Sequence, residues 1–388
     1  MRLLFTFAGG VGHFLPLLPL AHALAAEGHD VAFGAQAAML PTVKQAGFEA
    51  FDTGGRTIRD VELREPLLEL DMEREYRVVR EGYAGRVARQ RAPAILERAR
   101  MWRPDLLVCD EMDFGCPVAA ERLSVPHATV LVIASGMLTG PDLLAAPLDQ
   151  LRDEHGLPPD PEMAMLNRYL VLSPFPPSLR DPTRPLPLTA HAFRPAPPRD
   201  VTPPPWLRPP SDRPLIYVTL GTVFNAESGD LFARLLEGVR DLPVDVIATV
   251  GPQLDPAELG PQPDNIRIER FIIQSSLLPL CDLVVSHAGS GTVCGALAHG
   301  LPMLLLPMGA DQPFNARRCE ELGAARTLPP IRLTPAEVKE AVAFLLASDA
   351  HRKAARRVMA EIAALPGQES VVNLITKLAR RGSHIVAS

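Results

Sequence analysis

The most constraining feature of the sequence is a repeated order of apolar run, glycine-rich turn and helix-compatible run. Its clearest copy spans residues 282–315. There an apolar run at 283–285 enters a Gly-rich turn, a helix-compatible run follows to Gly300, and a second apolar run at 303–306 ends in a polar loop. The pattern predicts a βαβ unit with parallel strands. Both polar loops then fall at strand carboxyl ends, where open α/β sheets bind ligands.

The first of these loops has the composition of a phosphate-binding turn. Gly289 and Gly291 allow close backbone approach, and Thr292 lies where a helix begins and its first N–H groups are unpaired. His287 adds an imidazole donor. The loop therefore predicts an anion site at a helix N-terminus.

The second loop carries Asp311 and Gln312, a carboxylate beside an amide. Such a pair offers acceptors and donors to adjacent hydroxyl groups, as a sugar requires. The alternative is a tight turn followed by a simple Asp311 helix cap, because short glycine motifs are weak signals. The combination of both loops favours a diphosphate joined to a sugar.

The same rhythm opens the chain and restarts after a proline-dense stretch. We expect an α/β fold with two Rossmann-like parallel-sheet domains that face each other across a cleft. A long Arg-rich helix is expected from about Met72 to Arg100, whereas residues 135–187 give no clear pattern. The expected divisions are an N-terminal acceptor-binding domain at 1–195, a Pro-rich linker at 196–213, a C-terminal nucleotide-sugar domain at 214–365, and a C-terminal helix at 366–388 that can pack back on the N-terminal domain.

Composition narrows the class of protein. A net charge of −6 gives no basic field for nucleic acid or an anionic membrane. No apolar run approaches the length of a membrane span, and no convincing cleavage site follows the apolar N-terminus. Five cysteines without a Cys-x-x-Cys pair are expected to be reduced, as in the cytoplasm. The chain is compatible with a homodimer.

His13 is the candidate general base. It follows the first predicted strand at the start of a helix, where the macrodipole is expected to keep the imidazole neutral. Asp110 ends another strand of the same sheet, so both side chains are expected at one sheet edge. A carboxylate on the far imidazole nitrogen fixes the tautomer and stabilises the proton once taken. Glu111 and Asp113 lie beside Asp110, and the choice among the three stays open.

Other chemistries are not indicated. No cluster has the usual metal-ligand spacing, so we expect no metal and no cofactor, with a nucleoside-diphosphate sugar as co-substrate. The Gly-x-Ser-x-Gly elbow of hydrolases and the phosphate loop of NTPases are absent from the sequence.

Over essentially its whole length the chain resembles the GT-B family 1 glycosyltransferases, in particular bacterial enzymes that glycosylate polyketides, macrolides and related antibiotics. Five motifs carry the resemblance, in the order and approximate spacing of the family. They are Gly12-His13, Thr219 to Thr222, Phe271 to Gln274, His287 to Thr292, and Asp311-Gln312.

The resemblance implies roles for these residues. His13 deprotonates the acceptor hydroxyl with Asp110 as its partner, and the reaction is an inverting, metal-free displacement of the nucleoside diphosphate. The implied donor-binding set comprises Gly12, Thr222 at the diphosphate, Phe271 and Ile272 at the base, Gln274 near the ribose, His287, Gly289, Ser290, Gly291 and Thr292 at the diphosphate, and Asp311 and Gln312 at the sugar.

Some choices stay open at the level of sequence. The family often has Trp and Val-Pro-Gln where this chain has Phe271-Ile-Ile-Gln274, so both dTDP and UDP donors are compatible with it. The acceptor is expected to be a hydrophobic small molecule, but segments 52–100 and 135–190 match no motif that identifies it. Two other functions remain: a non-catalytic nucleotide-sugar-binding partner protein and a sugar-nucleotide epimerase.

Overall fold

The computed structural model describes residues 1–56, 64–196, 204, 206–207 and 212–386. The chain forms two compact units. The first comprises Met1–Ile58, Glu73–Ala196 and Leu365–Ser388, and the second comprises Arg59–Met72 and Pro197–Ala364.

The first unit contains a seven-stranded sheet in which every neighbouring pair is parallel, as expected from the βα rhythm. The strand order is β3-β2-β1-β4-β5-β6-β7, which reverses direction between β1 and β4. Its strands are β1 (Arg2–Thr6), β2 (Asp30–Ala35), β3 (Glu49–Asp52), β4 (Leu106–Asp110), β5 (His127–Val130), β6 (Leu170–Ser173) and β7 (Ala190–Ala192).

The second unit repeats this arrangement with six strands, also parallel throughout. The order β10-β9-β8-β11-β12-β13 reverses between β8 and β11. The strands are β8 (Leu215–Thr219), β9 (Asp245–Thr249), β10 (Ile266–Glu269), β11 (Leu283–Ser286), β12 (Met303–Leu305) and β13 (Ala325–Thr327).

Helices connect the strands on both faces of each sheet. Before the second sheet they are α1 (Val11–Phe14), α2 (Leu18–Ala26), α3 (Leu40–Gln45), α4 (Met72–Arg77), a π-helix (Val78–Val87), α5 (Ala88–Trp102), α6 (Gly115–Leu123) and α7 (Pro141–Glu154). The helices that follow β8 in the chain are α8 (Leu231–Val239), α9 (Gln274–Leu277), α10 (Ser290–Ala298), α11 (Gln312–Glu321), α12 (Pro335–Ala347), α13 (Asp349–Ala364) and α14 (Gln368–Arg381). Short 3₁₀ turns occur at Ala37–Met39, Ala164–Leu166, Pro177–Leu179, Pro256–Leu259 and Leu278–Leu280.

The apolar strands are buried on both faces, as the continuous hydrophobic runs require. In β1, Leu3, Leu4 and Phe5 are fully buried. The last helix, α14, contributes an apolar face to the same core as β1 and α2. Gln368 at its start donates from Nε2 to the Pro19 carbonyl oxygen at 2.5 Å. The C-terminal segment is therefore an integral part of the first unit.

Several local expectations are confirmed. Thr334 and Glu337 form the predicted capping box, with Pro335 at the first position of α12. The five cysteines are free thiols. Burial raises the pKa of Cys281, Cys294 and Cys319 to about 12, so these thiols stay protonated at neutral pH.

Two further features concern the expected domain boundaries. The linker at 196–213 lies for the most part outside the described residues. The described residues 64–72 belong to the second unit, although they fall within the expected N-terminal domain at 1–195. Glu65 carries this association, because its backbone N–H donates to the Ala226 carbonyl oxygen at 2.8 Å. Among the described residues, no helix has the length and apolar character that crossing a membrane requires.

Candidate active site

His13 lies directly beyond the carboxyl end of β1, at the point where the strand order of the first sheet reverses. Its Nδ1 atom is hydrogen-bonded to Oδ2 of Asp110, the last residue of β4. A Cβ atom at Gly9 would overlap the imidazole, so the turn needs glycine there. The topology thus joins two residues 97 positions apart in the sequence.

Both carboxylate oxygen atoms of Asp110 make hydrogen bonds that fix the side chain. Oδ1 accepts the backbone N–H of Ala8 at 3.1 Å, while Oδ2 faces His13. Burial raises the pKa of Asp110, and the charge and hydrogen bond of His13 oppose that rise. A carboxylate held in this way keeps the imidazole N–H on Nδ1 and directs the Nε2 lone pair outward.

The helix geometry at His13 differs from the sequence expectation. Helix α1 spans four residues, and His13 is in its last turn. So short a helix has little macrodipole, and the C-terminal end of a helix favours a cation rather than a neutral ring. The macrodipole argument is therefore wrong, and the hydrogen bond to Asp110 sets the tautomer.

The two neighbouring carboxylates have other partners. Asp113 makes a bidentate pair with Arg91 of α5, through Nε at 3.0 Å and Nη2 at 2.7 Å. Glu111 accepts the backbone N–H groups of Val132, at 2.7 Å, and Ile133. Burial raises the pKa of Glu111 to about 7. Of the three candidates, the structure brings Asp110 to His13.

Arg91 was not identified from the sequence, where it is one of many arginines in a helix. It is 1% exposed, and it also donates to two backbone carbonyl oxygens. Nη1 reaches Gly54 at 3.0 Å and Nη2 reaches Gly34 at 3.3 Å. One guanidinium group therefore ties the ends of β2, β3 and β4 together beside the His13–Asp110 pair.

Tyr83 is a second residue that the sequence did not identify. Its phenolic oxygen lies 3.5 Å from Nε2 of His13, and the two ring centroids are 5.9 Å apart. Tyr83 belongs to the π-helix, and no sequence signal distinguishes it from the other residues of the predicted Arg-rich helix.

The predicted phosphate loop lies at the corresponding place in the second sheet. It follows β11, whose neighbour β8 leads into Gly221 and Thr222. Helix α10 begins at Ser290 after Gly289, so the N–H groups of its first turn point out of the helix end. The loop residue Ala288 adopts a left-handed conformation with φ of 68°, which is costly for a residue other than glycine.

His287 is 8% exposed and packs against two glycines of these loops. A Cβ atom on Gly221 or on Gly289 would lie 2.5 Å from its Nε2 atom, so both positions need glycine. Burial lowers the pKa of His287 to about 4, and the Thr219 backbone carbonyl only partly opposes this. The imidazole is therefore neutral at pH 7, with one ring nitrogen as a hydrogen-bond donor and the other as an acceptor.

Asp311 and Gln312 are anchored to their surroundings. Asp311 Oδ2 accepts from Ser290 Oγ at 2.6 Å and from Asn315 Nδ2 at 2.7 Å. Its side chain makes no capping bond to α11, so the simple-cap alternative is wrong. Gln312 Oε1 accepts the N–H groups of Met308 at 2.8 Å and Gly309 at 3.2 Å. The Gln312 oxygen is therefore committed, and its amide nitrogen is the group that suits a hydroxyl.

Asn315, which had no predicted role, connects the loop after β11 to the loop after β12. It donates to the Ala288 carbonyl oxygen at 3.0 Å as well as to Asp311. Its position four residues after Asp311, on the same helical face, was a usable signal.

The remaining donor candidates occupy different environments. Gln274 donates from Nε2 to Thr292 Oγ1 at 3.3 Å, which links α9 to the phosphate loop. Phe271 is 70% exposed, whereas Ile272 is 6% exposed and turned inward. The geometry makes Phe271 the better candidate for contact with a nucleotide base. Gly12 lies in the first unit, next to His13 in the sequence.

Most of the chain is similar to known proteins. Residues 22–221 match the description "Erythromycin biosynthesis protein CIII-like, N-terminal domain", and residues 233–378 match its C-terminal domain. The 10-deoxymethynolide desosaminyltransferase of Streptomyces venezuelae is 29% identical over 417 residues, which cover 98% of this chain and 97% of that protein. The L-demethylnoviosyl transferase of Streptomyces niveus is 30% identical over 383 residues, 94% of this chain and 95% of that protein.

A solved structure extends the comparison to the fold. The crystal structure of the glycosyltransferase VinC in complex with dTDP aligns with a TM-score of 0.77 and 26% identity, covering 98% of this chain and all of that one. The protein is therefore an enzyme, a glycosyltransferase with the GT-B fold, which confirms the expected fold and class. Within that class, the chain belongs to the family of erythromycin biosynthesis protein CIII-like glycosyltransferases.

The Arg91–Asp113 pair gives a test of how the edge of the first sheet is held. Arg91→Met leaves a buried carboxylate without a cation, so we expect the first unit to lose about 3–5 kcal/mol of unfolding free energy. The measurement is denaturant unfolding.

The control is Arg89→Met on the same helix, whose pair with Glu154 is much more exposed. It should cost less than about 1 kcal/mol. The double variant Arg91→Met/Asp113→Leu should recover much of the loss. An Arg91→Met protein as stable as the Arg89→Met protein contradicts the assignment.

Proposed function

We propose that the enzyme is an inverting, metal-independent glycosyltransferase that moves a sugar from a nucleotide donor to a hydroxyl group of a hydrophobic natural product. A polyketide or macrolide acceptor and a deoxysugar are supported by the relatives named above, which include a desosaminyltransferase. Of the dTDP and UDP donors, dTDP is favoured because VinC was crystallised with dTDP. The observation that carries the proposal is the His13–Asp110 hydrogen bond at the carboxyl edge of the first sheet.

The proposed chemistry is a single displacement. The acceptor O–H bond breaks as its proton passes to Nε2 of His13, and the oxygen forms a bond to the anomeric carbon. The bond from that carbon to the diphosphate oxygen breaks, and the nucleoside diphosphate leaves with the electron pair. Asp110 stabilises the imidazolium through Nδ1. Attack opposite to the leaving group inverts the anomeric configuration.

The second unit is proposed to bind the donor and stabilise the leaving group. The N–H groups at the start of α10 and the neutral His287 imidazole suit a diphosphate. Asp311 and the Gln312 amide nitrogen suit sugar hydroxyls. Asp311 is held by Ser290 and Asn315, so its carboxylate is oriented before a sugar binds.

Metal chelation tests the proposed role of these N–H groups in stabilising the leaving group. We expect turnover to be unchanged within about twofold in EDTA, because the backbone N–H groups at the start of α10 replace a cation. A loss of activity that Mg²⁺ restores contradicts the metal-free proposal.

His13→Ala tests the base assignment. We expect turnover to fall by about 10² to 10⁴, because general base catalysis contributes in that range. Affinity for the nucleotide should be unchanged within about twofold, because the proposed diphosphate and sugar ligands are in the second unit. The measurements are initial rates and calorimetric binding of dTDP.

The matched control is His22→Ala, which removes an exposed imidazole from the helix that follows. Wild-type turnover in the His13→Ala protein contradicts the base assignment. Mass spectrometry of the donor, with and without acceptor, separates the other functions: conversion to an isomeric nucleotide sugar without acceptor indicates an epimerase, and binding without any conversion indicates a partner protein.

A further inference from the structure

The helical region between β3 and β4 contains an unusual stretch. Ten consecutive residues, Val78–Val87, form a π-helix between α4 and α5. Runs of this type are rare, are usually single-turn bulges and occur often at functional sites. Gly82 and Gly85 flank Tyr83, and glycine lowers the preference for a regular α-helix. The wider turns change which side chains face the sheet edge, and they place Tyr83 over His13.

The contact involves the one nitrogen of His13 that the proposed reaction needs. Nδ1 is committed to Asp110, so the Nε2 lone pair is the site that takes a proton. The Tyr83 phenol lies 3.5 Å from this atom and can donate its O–H to it. That distance is long for a hydrogen bond, so the bond is weak and easily exchanged.

Any hydroxyl that reaches Nε2 competes with the phenol for the same lone pair. An acceptor molecule brings apolar surface that binds elsewhere and helps it displace a weak bond, whereas a water molecule brings none. A water molecule on Nε2 is the reactant in an unwanted hydrolysis. Its O–H bond breaks with the proton going to Nε2, its oxygen bonds to the anomeric carbon, and the nucleoside diphosphate leaves with the electron pair of the broken C–O bond.

We propose that Tyr83 is a positioning residue that caps Nε2 of His13 and protects the nucleotide sugar from hydrolysis until an acceptor hydroxyl takes the place of the phenol. The proposal rests on the proposed role of His13 as the base. The cap itself is a property of the first unit and can be tested without any sugar donor.

The first experiment measures access to Nε2. Diethyl pyrocarbonate carbethoxylates neutral imidazoles, and peptide mass spectrometry follows the modification of His13 over time. Tyr83→Phe keeps the ring and removes the hydroxyl. It should raise the rate at His13 by about three- to tenfold, the range expected for loss of one weak hydrogen bond. Tyr76→Phe, seven residues earlier in the same helical run, should leave that rate unchanged.

A second measurement on the same proteins is the titration midpoint of His13 by NMR. A donor on Nε2 stabilises the neutral ring, so its removal should move the midpoint to higher pH. An unchanged modification rate and an unchanged midpoint in Tyr83→Phe overturn the cap. Circular dichroism verifies that the variants are folded.

The third experiment measures protection from water, as release of dTDP from dTDP-glucose with no acceptor present. Tyr83→Phe should release dTDP faster than wild type and Tyr76→Phe, by a similar factor. Equal release by all three proteins overturns the protective role. The double variant Tyr83→Phe/His13→Ala should lose the extra release. Persistence of the extra release in the double variant contradicts His13 as the base and leaves the cap, measured by carbethoxylation, as a separate result.

Discussion

Where the strand order of a parallel sheet reverses, the carboxyl ends of two adjacent strands lie side by side, and the loops that follow them meet at one edge of the sheet. In the first unit these strands are β1 and β4, with Thr6 opposite Cys109 in register. The loops that follow bring His13 and Asp110 into a hydrogen bond, although each is far from the other in the sequence. The bond fixes the imidazole tautomer, and buried Arg91 holds the neighbouring Asp113 away from it. The proposed base, its partner and the proposed cap on Nε2 all depend on this position in the sheet.

The second unit uses the same arrangement for a different purpose. Beside β8, the loop after β11 presents the N-terminus of α10 and a neutral His287 rather than an acid–base pair. Ser290, Asp311 and Asn315 bond to one another and so join this loop to the one after β12. The proposed metal-free anion site needs N–H groups that do not reorganise when a diphosphate binds, and this network holds the two loops in place. The left-handed Ala288 is held in place by the same network, through the Asn315 amide.

Site residues that directly follow a strand were predictable from the sequence. Residues that reach the site from a helix elsewhere in the unit were not. His13, Asp110, His287 and Asp311 each follow an apolar run, so the order of strands was enough to locate them. The choice of Asp110 over Asp113 required Arg91, and an arginine in an Arg-rich helix has no sequence mark of burial. The position of Tyr83 depends on a π-helix. The period of a π-helix differs from the 3.6 residues per turn by which a hydrophobic pattern identifies an α-helix. The macrodipole argument for His13 failed because α1 is short. The boundaries of short helices are poorly specified by sequence.

The stereochemistry of the transferred sugar tests the central claim most directly, because a single displacement by an oxygen that His13 activates has one geometric outcome. The measurement is the anomeric configuration of the product, determined by NMR, against that of the nucleotide sugar supplied. The account predicts opposite configurations in donor and product. A product with the configuration of the donor contradicts it, since retention requires either a covalent intermediate or attack from the face of the leaving group.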